Sequence, residues 1–334
     1  MTRKSLGILW LAVGLALVVL VVAWCSPSRT LADFLGALAH PWHLAAAAAA
    51  FVATQGVFLV KWHVMARRAG SPLGLRQNLR LFGTLMLVGT FTPARVGELA
   101  VPALMRGGGA LTAVALVNRL LESTCTLCAG VLAALLILNV ETFGSNLWGL
   151  GLVLALFVAA MVLLGRRRHV AAVLRVVRAG LVRLRGLRAA RWLLAQEERY
   201  AAGIEHFYAA NERLLRPGPM LLFALLMFLV WALMVTGNWC LIQATVPEGE
   251  KAVTVSVVIA IIAVMAVAMF LAPTPGGLGV SEFLSVAVFA RLGYEGESFV
   301  AFLLLARVGM YAAVGILYAV SRMAGREVAA AGGA

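Results

Sequence analysis

Acidic residues are scarce in this chain: 14 Asp and Glu stand among 334 residues, against 28 Lys and Arg, and charged residues of all kinds make up only 13%. That is too little polar surface for a water-soluble domain of this length, which excludes a soluble enzyme or binding module. Histidine is confined to positions 40, 43, 63, 169 and 206, in loops, surface segments or at the ends of apolar runs. None accompanies the interrupted motifs described below. Ser281, the serine nearest to one of them, has no adjacent His or Lys to activate it, so nucleophilic catalysis is not expected. The four cysteines (25, 125, 128 and 240) lie in or beside apolar runs. Cys125 and Cys128 form a C-x-x-C with no further Cys or His nearby, which reads as two small apolar residues and not as a metal or redox centre. No G-x-x-x-x-G-K-[ST] occurs, so direct coupling to ATP is not expected, and no cofactor or metal is implied.

What the chain has instead is apolar length: 63% of its residues are hydrophobic and its mean hydropathy is +0.96. A membrane span needs roughly 20 residues at a rise of about 1.5 Å each. Runs near 6–24, 44–64, 111–138, 147–165, 219–243 and 298–320 are long enough, while 81–105 and 252–292 are long but interrupted. The expected fold is an all-α polytopic membrane protein with about six full transmembrane helices plus two broken or re-entrant helical hairpins. The expected layout is a single membrane domain over 1–334. A first half (1–165) holds the hairpin 81–105, a basic segment covers 166–216, and a second half (217–334) holds the hairpin 252–292. The N-terminal run follows Arg3-Lys4 and ends Val22-Ala23-Trp24-Cys25. It is longer than a signal peptide's apolar region and lacks small residues at a cleavage point, so it reads as a retained first span.

Charge orients the spans. With the N-terminus, 65–80, Arg106, 166–216 and the C-terminus on one side, that side carries 21 basic residues, against Arg29, Lys251 and Arg291 on the other. The positive-inside rule then makes the first side cytoplasmic, both termini included. Six spans and two hairpins satisfy this count if 81–105 enters from the cytoplasm and 252–292 from outside, an inverted repeat. Two full spans in place of either hairpin would leave the loops on the same sides. Residues 166–191 contain nine arginines and no acid. Wound as a helix they place Val170, Val173, Val177, Leu181 and Leu184 on one face, with Arg168, Arg175, Arg178 and Arg183 away from it. Such a helix rests on anionic inner-leaflet lipids. No aromatic side chains interleave the arginines, so nucleic acid is not the expected partner.

The two interruptions share their punctuation. Thr92-Pro93-Ala94-Arg95-Val96-Gly97-Glu98 and Thr274-Pro275-Gly276-Gly277-Leu278-Gly279-Val280-Ser281-Glu282 each bring Pro, Gly and a carboxylate into an apolar run. Proline removes a backbone donor and glycine weakens the helix, so Pro93, Gly97, Pro275, Gly276, Gly277 and Gly279 are the expected helix breaks. Free helix ends near the bilayer centre suit a site for a polar ligand, and a pair of them in opposite halves points to a carrier. The ionisable groups at depth are Arg95, Glu98, Arg119, Glu122, Glu282 and Arg307. Each costs roughly 2.5–3.5 kcal/mol near the bilayer centre unless paired or hydrated. Arg119 and Glu122 lie at i, i+3 on one face, which Ser123, Thr126 and Gly130 extend; an internal ion pair that only packs helices is the alternative. Glu98 and Glu282 follow the breaks, where each could cap the next half-helix. Arg307 has no acid within a turn, so it needs Glu282, Glu98 or a ligand phosphate. Lys61 lies near the inner end of its span and is expected to snorkel to the surface.

Taken in order, Pro93-Ala94-Arg95-Val96-Gly97-Glu98, Arg119 with an acid three residues on, Pro275-Gly276-Gly277-Leu278-Gly279 with Glu282, and Arg307 in the last span resemble one family. It is the flippase-like membrane domain of bacterial lysylphosphatidylglycerol synthases, which also occurs in stand-alone proteins. The resemblance spans nearly the whole chain. That family often carries Glu before the span arginine and Asp three residues later, where this chain has Asn118 and Glu122, so a role needing a carboxylate at 118 is not expected. The soluble aminoacyl-transferring domain has no counterpart here, so lipid synthesis is not expected to carry over. The resemblance implies movement of a polar lipid between leaflets of a bacterial inner membrane, the lipid being anionic, aminoacylated or glycosylated. Arg95, Arg119 and Arg307 would meet a phosphate, and Glu98 and Glu282 would meet a cationic or hydroxyl-bearing head group or exchange protons to drive the cycle. The alternatives are an integral-membrane enzyme acting on a polyprenyl or lipid phosphate and a non-catalytic scaffold of a cell-envelope lipid pathway.

Overall fold

The computed structural model of the chain describes residues 15–16, 18–20, 22–23, 27–71, 73–92, 95, 98, 101–102, 109–137, 175, 179–180, 182–183, 197–246, 252–271, 274, 276–295 and 299–331. Among these residues the regular structure is helical, with no strand. The helices are α1 (Pro27–Ala37), α2 (Pro41–Arg68), α3 (Leu75–Phe91), α4 (Gly109–Ile137), α5 (Glu197–Leu214), α6 (Pro217–Thr245), α7 (Val255–Leu271), α8 (Val280–Arg291) and α9 (Val300–Ala331).

Local chemistry sets several of the ends. Proline in the first turn of α2 and of α6 has no N–H to leave unpaired and its φ is already helical. Thr92 precedes Pro93, which disfavours the helical region, and its φ of −106° and ψ of 140° stop α3 there. Between α7 and α8, Gly276, Gly277 and Gly279 take φ of 57°, 71° and 80°. A side chain would clash in that left-handed backbone, so the turn needs these glycines.

The bundle is turned outward in composition. Trp42 is 85% exposed and Phe228 75%, while Lys61, Asn78, Glu122, Asn238, Glu282 and Arg307 are buried. Helix α6 is apolar over most of its length and leaves Leu221, Leu225 and Phe228 exposed, as a lipid-contacting span does. At 28 and 29 residues, α2 and α6 run to ~42 Å each, more than the ~30 Å hydrocarbon layer, and Val300–Met323 of α9 is also long and apolar enough to cross. At 12 residues α8 reaches only ~18 Å, so it cannot cross alone. Helix α2 lies along α6 and α9, α7 along α4, and α9 along α3. Close approach is bought by small residues: Gly237 of α6 faces Ala47, Ala50 and Phe51 of α2, and Gly309 of α9 faces the Phe51 ring.

The described residues of the expected spans 44–64, 111–138, 219–243 and 298–320 are helical, and both interrupted segments break, α3 at Phe91 and α7 from α8 at the glycine turn. The run 147–165 lies outside the described residues, as do Pro93, Gly97, Pro275, Arg168 and Arg178. Of the first run, the described positions from 15 to 23 are helical. Arg175 and Arg183 are helical and exposed. The last third of the basic segment 166–216, beyond the arginine-rich stretch 166–191, is α5, which packs against α4 and buries Tyr208, Ala210, Asn211 and Leu214. The first hairpin also begins earlier than 81, because α3 starts at Leu75 after the Gly74 turn.

Candidate functional site: two helix breaks around a midplane cavity

The first break gathers charge. Arg95 itself sits at φ 55°, a backbone region costing a non-glycine residue on the order of 1–2 kcal/mol. That twist turns its guanidinium back on Glu98, with which it forms an ion pair. Arg119 of α4 stands 3.8 Å from Glu98 and 3.5 Å from Glu122. Arg95 lies 3.9 Å from Glu122, and Lys61 of α2 lies 3.7 Å from the same carboxylate. Asn118 donates its amide to Glu122 Oε1 at 2.7 Å. A glutamate at 118 would crowd a second carboxylate against Glu122. Among the described residues, the basic side chains of Lys61, Arg95 and Arg119 gather around Glu98 and Glu122.

Lys61 overturns an expectation. It is 0% exposed, next to Met227 Sδ of α6 and 4.7 Å over the Phe58 ring, and it does not snorkel. The helical period held a signal. Lys61 is seven residues from Thr54, hence on the face that carries Thr54, Ala50 and Ala47 inward.

The second break is built differently. Arg307 of α9 donates Nε–H to Glu282 Oε1 at 2.6 Å, Nη1–H to the Gly276 carbonyl at 2.7 Å, and Nη2–H to Ser281 Oγ. The other oxygen of Glu282 accepts from the Gly279 N–H at 2.7 Å and from the Ser281 hydroxyl at 2.8 Å. Glu282 is thus the N-terminal cap of α8, and of the partners expected for Arg307 the structure selects this one. With Glu282 at 2% and Arg307 at 4% exposure, the two are buried together and one charge meets one charge.

The breaks touch. A Cβ added at Gly276 would lie 3.0 Å from the Thr90 carbonyl at the end of α3, and 3.1 Å from the Tyr311 hydroxyl. Beside this contact lies a cavity of about 130 Å³, room for several waters. Its walls come from Thr54 and Gln55 on α2, Thr126 on α4, Asn238 on α6 and Met310 on α9, closed at the breaks by Arg95 and Gly276. Thr54 and Gln55 fall at the middle of α2, and Asn238 lies two turns from the end of α6. Arg95 and Glu122 are the charged residues among its described lining. Gln55 and Asn238 were missed in the sequence; two amides within otherwise apolar spans were the available signal. Among the described residues no three His, Cys, Asp or Glu side chains come together as a metal ion would require.

Buried charges inside, apolar residues outside and two interrupted helices meeting beside a cavity define a multi-pass α-helical membrane protein with a polar internal site. The chain matches the family described as the lysylphosphatidylglycerol synthase TM region over residues 10–317, and it belongs to that family. The match covers both breaks and all six charged residues singled out in the sequence, and it places the chain in the setting of membrane lipids. Neither the comparison with curated proteins nor that with solved structures returned a match.

Proposed function

We propose that the protein moves a polar lipid, anionic at its phosphate, between the leaflets of a bacterial inner membrane. Both termini would lie in the cytoplasm, as the basic loops require, and the two hairpins would enter from opposite sides as an inverted repeat. The observation that carries the reading is a cluster of basic side chains beside the cavity. Lys61, Arg95 and Arg119 gather at the first break, and Arg95 lines the cavity. A guanidinium on a low-dielectric wall favours an anionic ligand, and its fork suits a phosphate. A lipid phosphate arriving at Arg95 could displace the 3.9 Å contact with Glu122, which Lys61 and Arg119 would still hold. The acyl chains would stay in lipid while the head group passes the breaks.

Two of the cavity hydroxyls are engaged by their own helices: Thr54 donates to the Ala50 carbonyl at 2.8 Å and Thr90 to the Met86 carbonyl at 2.7 Å. Transbilayer movement of labelled anionic phospholipid in proteoliposomes tests the proposal. Wild type should move the lipid and Arg95→Gln should slow it at least tenfold; equal movement by the two would sink a mechanism based on this charge.

A further inference from the structure

Helix α1 meets three different surroundings on three flanks. Wound at about 3.6 residues per turn, it brings Thr30, Asp33 and Ala37 to one side. Thr30 and Ala37 are buried and Asp33 is half-buried, and the helix packs against α6 and α9. The next flank carries Leu31, Phe34 and Leu35, and Leu38 continues it past the last turn. All four are exposed, the three leucines by more than half. The remaining flank holds Ser28, Ala32 and Gly36, exposed and small. A helix standing free in water has no use for a leucine stripe beside a small, polar one.

Length and register say where this stripe lies. At 11 residues α1 rises ~16 Å, about half of the roughly 30 Å hydrocarbon layer, so it cannot cross. Gly237 of α6 faces Ala47 of α2, and Met227 meets Lys61, so the two helices run antiparallel. The start of α2 therefore lies by the end of α6 at Thr245, and α1 comes just before that start. Both long helices outreach the hydrocarbon layer, so their paired ends fall at its edge. Trp42 is exposed in the first turn of α2, at that same level. An indole, apolar in its ring and polar at its N–H, suits the boundary between lipid tails and head groups.

We infer that α1 lies in the plane of the membrane and docks on the lipid surface. Leu31, Phe34, Leu35 and Leu38 enter the upper acyl chains, while Ser28, Ala32 and Gly36 face water. One basic and one acidic residue, Arg29 and Asp33, leave the helix without net charge. Apolar burial holds it in place, then, and not attraction to anionic lipid. So seated, α1 ties α6 and α9, which supply Asn238 and Met310 to the cavity wall, to the membrane surface.

A spin-label scan of the full chain in proteoliposomes tests this. Single cysteines are placed at 28, 30–32 and 34–38 after Cys25, Cys125, Cys128 and Cys240 are replaced by alanine. Each label is read for collision with oxygen, which concentrates among acyl chains, and with a water-soluble nickel chelate. Labels at 31, 34, 35 and 38 should favour oxygen, those at 28, 32 and 36 should favour nickel, and those at 30 and 37 should be shielded from both. The pattern should be the same in neutral and in anionic vesicles. Shielding of the leucine stripe from both reagents would mean that a protein surface, such as a second copy of the chain, covers it. Oxygen access rising steadily along the helix without a helical period would mean that it stands along the membrane normal. A pattern found only in anionic vesicles would make charge the anchor. Each of these three results overturns the inference. Should labels at 30 or 37 prevent folding, Leu35→Asp and Ala32→Asp decide. The first should lower the melting temperature in vesicles and the second should leave it unchanged, and equal effects would sink the in-plane seat.

Discussion

The two helix breaks use the same punctuation and arrive at opposite electrostatics. At the second break Arg307 and Glu282 match one for one, and backbone groups of Gly276 and Gly279 take up what remains. At the first, Arg95, Arg119 and Lys61 share Glu98 and Glu122 at separations mostly between 3.5 and 3.9 Å, looser than hydrogen bonds. The closed set behaves as a latch that holds α8 to α9. The loose set can exchange partners without breaking a saturated network. Motif likeness alone, then, says where a helix stops and not what the stop is for.

The largest way to break the comparison is Arg307→Ala, which strands Glu282 in a dry interior. It should cost about 3–5 kcal/mol, read as the unfolding midpoint in detergent, whereas Glu282→Leu/Arg307→Leu should cost much less. A single substitution no worse than the double would show that the pair is not a latch. Next comes Gly276→Ala, which puts a side chain at φ 57° and against the Thr90 carbonyl. A loss of about 2 kcal/mol is expected. Gly315→Ala, in open space on α9, should instead be neutral or gain up to about 1 kcal/mol. Similar losses at both positions would remove the contact between breaks from the account. Among the substitutions at the breaks, the smallest stability change should come from Arg95→Gly. Relief of the left-handed backbone, about 1 kcal/mol, offsets the lost ion pairs. Lipid movement should nonetheless fall at least tenfold, and a collapse in stability would show that the first break is a latch too.

How much was legible follows from how local each cause is. Thr92 leaving the helix before Pro93, and the glycine turn from 276 to 279, are properties of neighbouring residues, so the breaks were readable. Arg119 and Glu122 share a face by helical spacing, which also was readable. The fate of Lys61 was not, because it depends on Met227 and Glu122 arriving from α6 and α4. Arg307 had two acids and a ligand as open partners, and only the return of α9 past α8 selects Glu282. The packing of α5 was hidden by charge: its exposed face carries Glu205, Glu212 and Arg213, and that composition masks the apolar stripe beneath.

Methionine recurs around the cavity, at 86, 227, 234, 265 and 310. Thioether chains are unbranched and turn about three bonds, so the wall they make has no fixed outline. Shape is therefore a weak filter in this molecule. Ligands that differ in bulk should fit this cavity with similar ease.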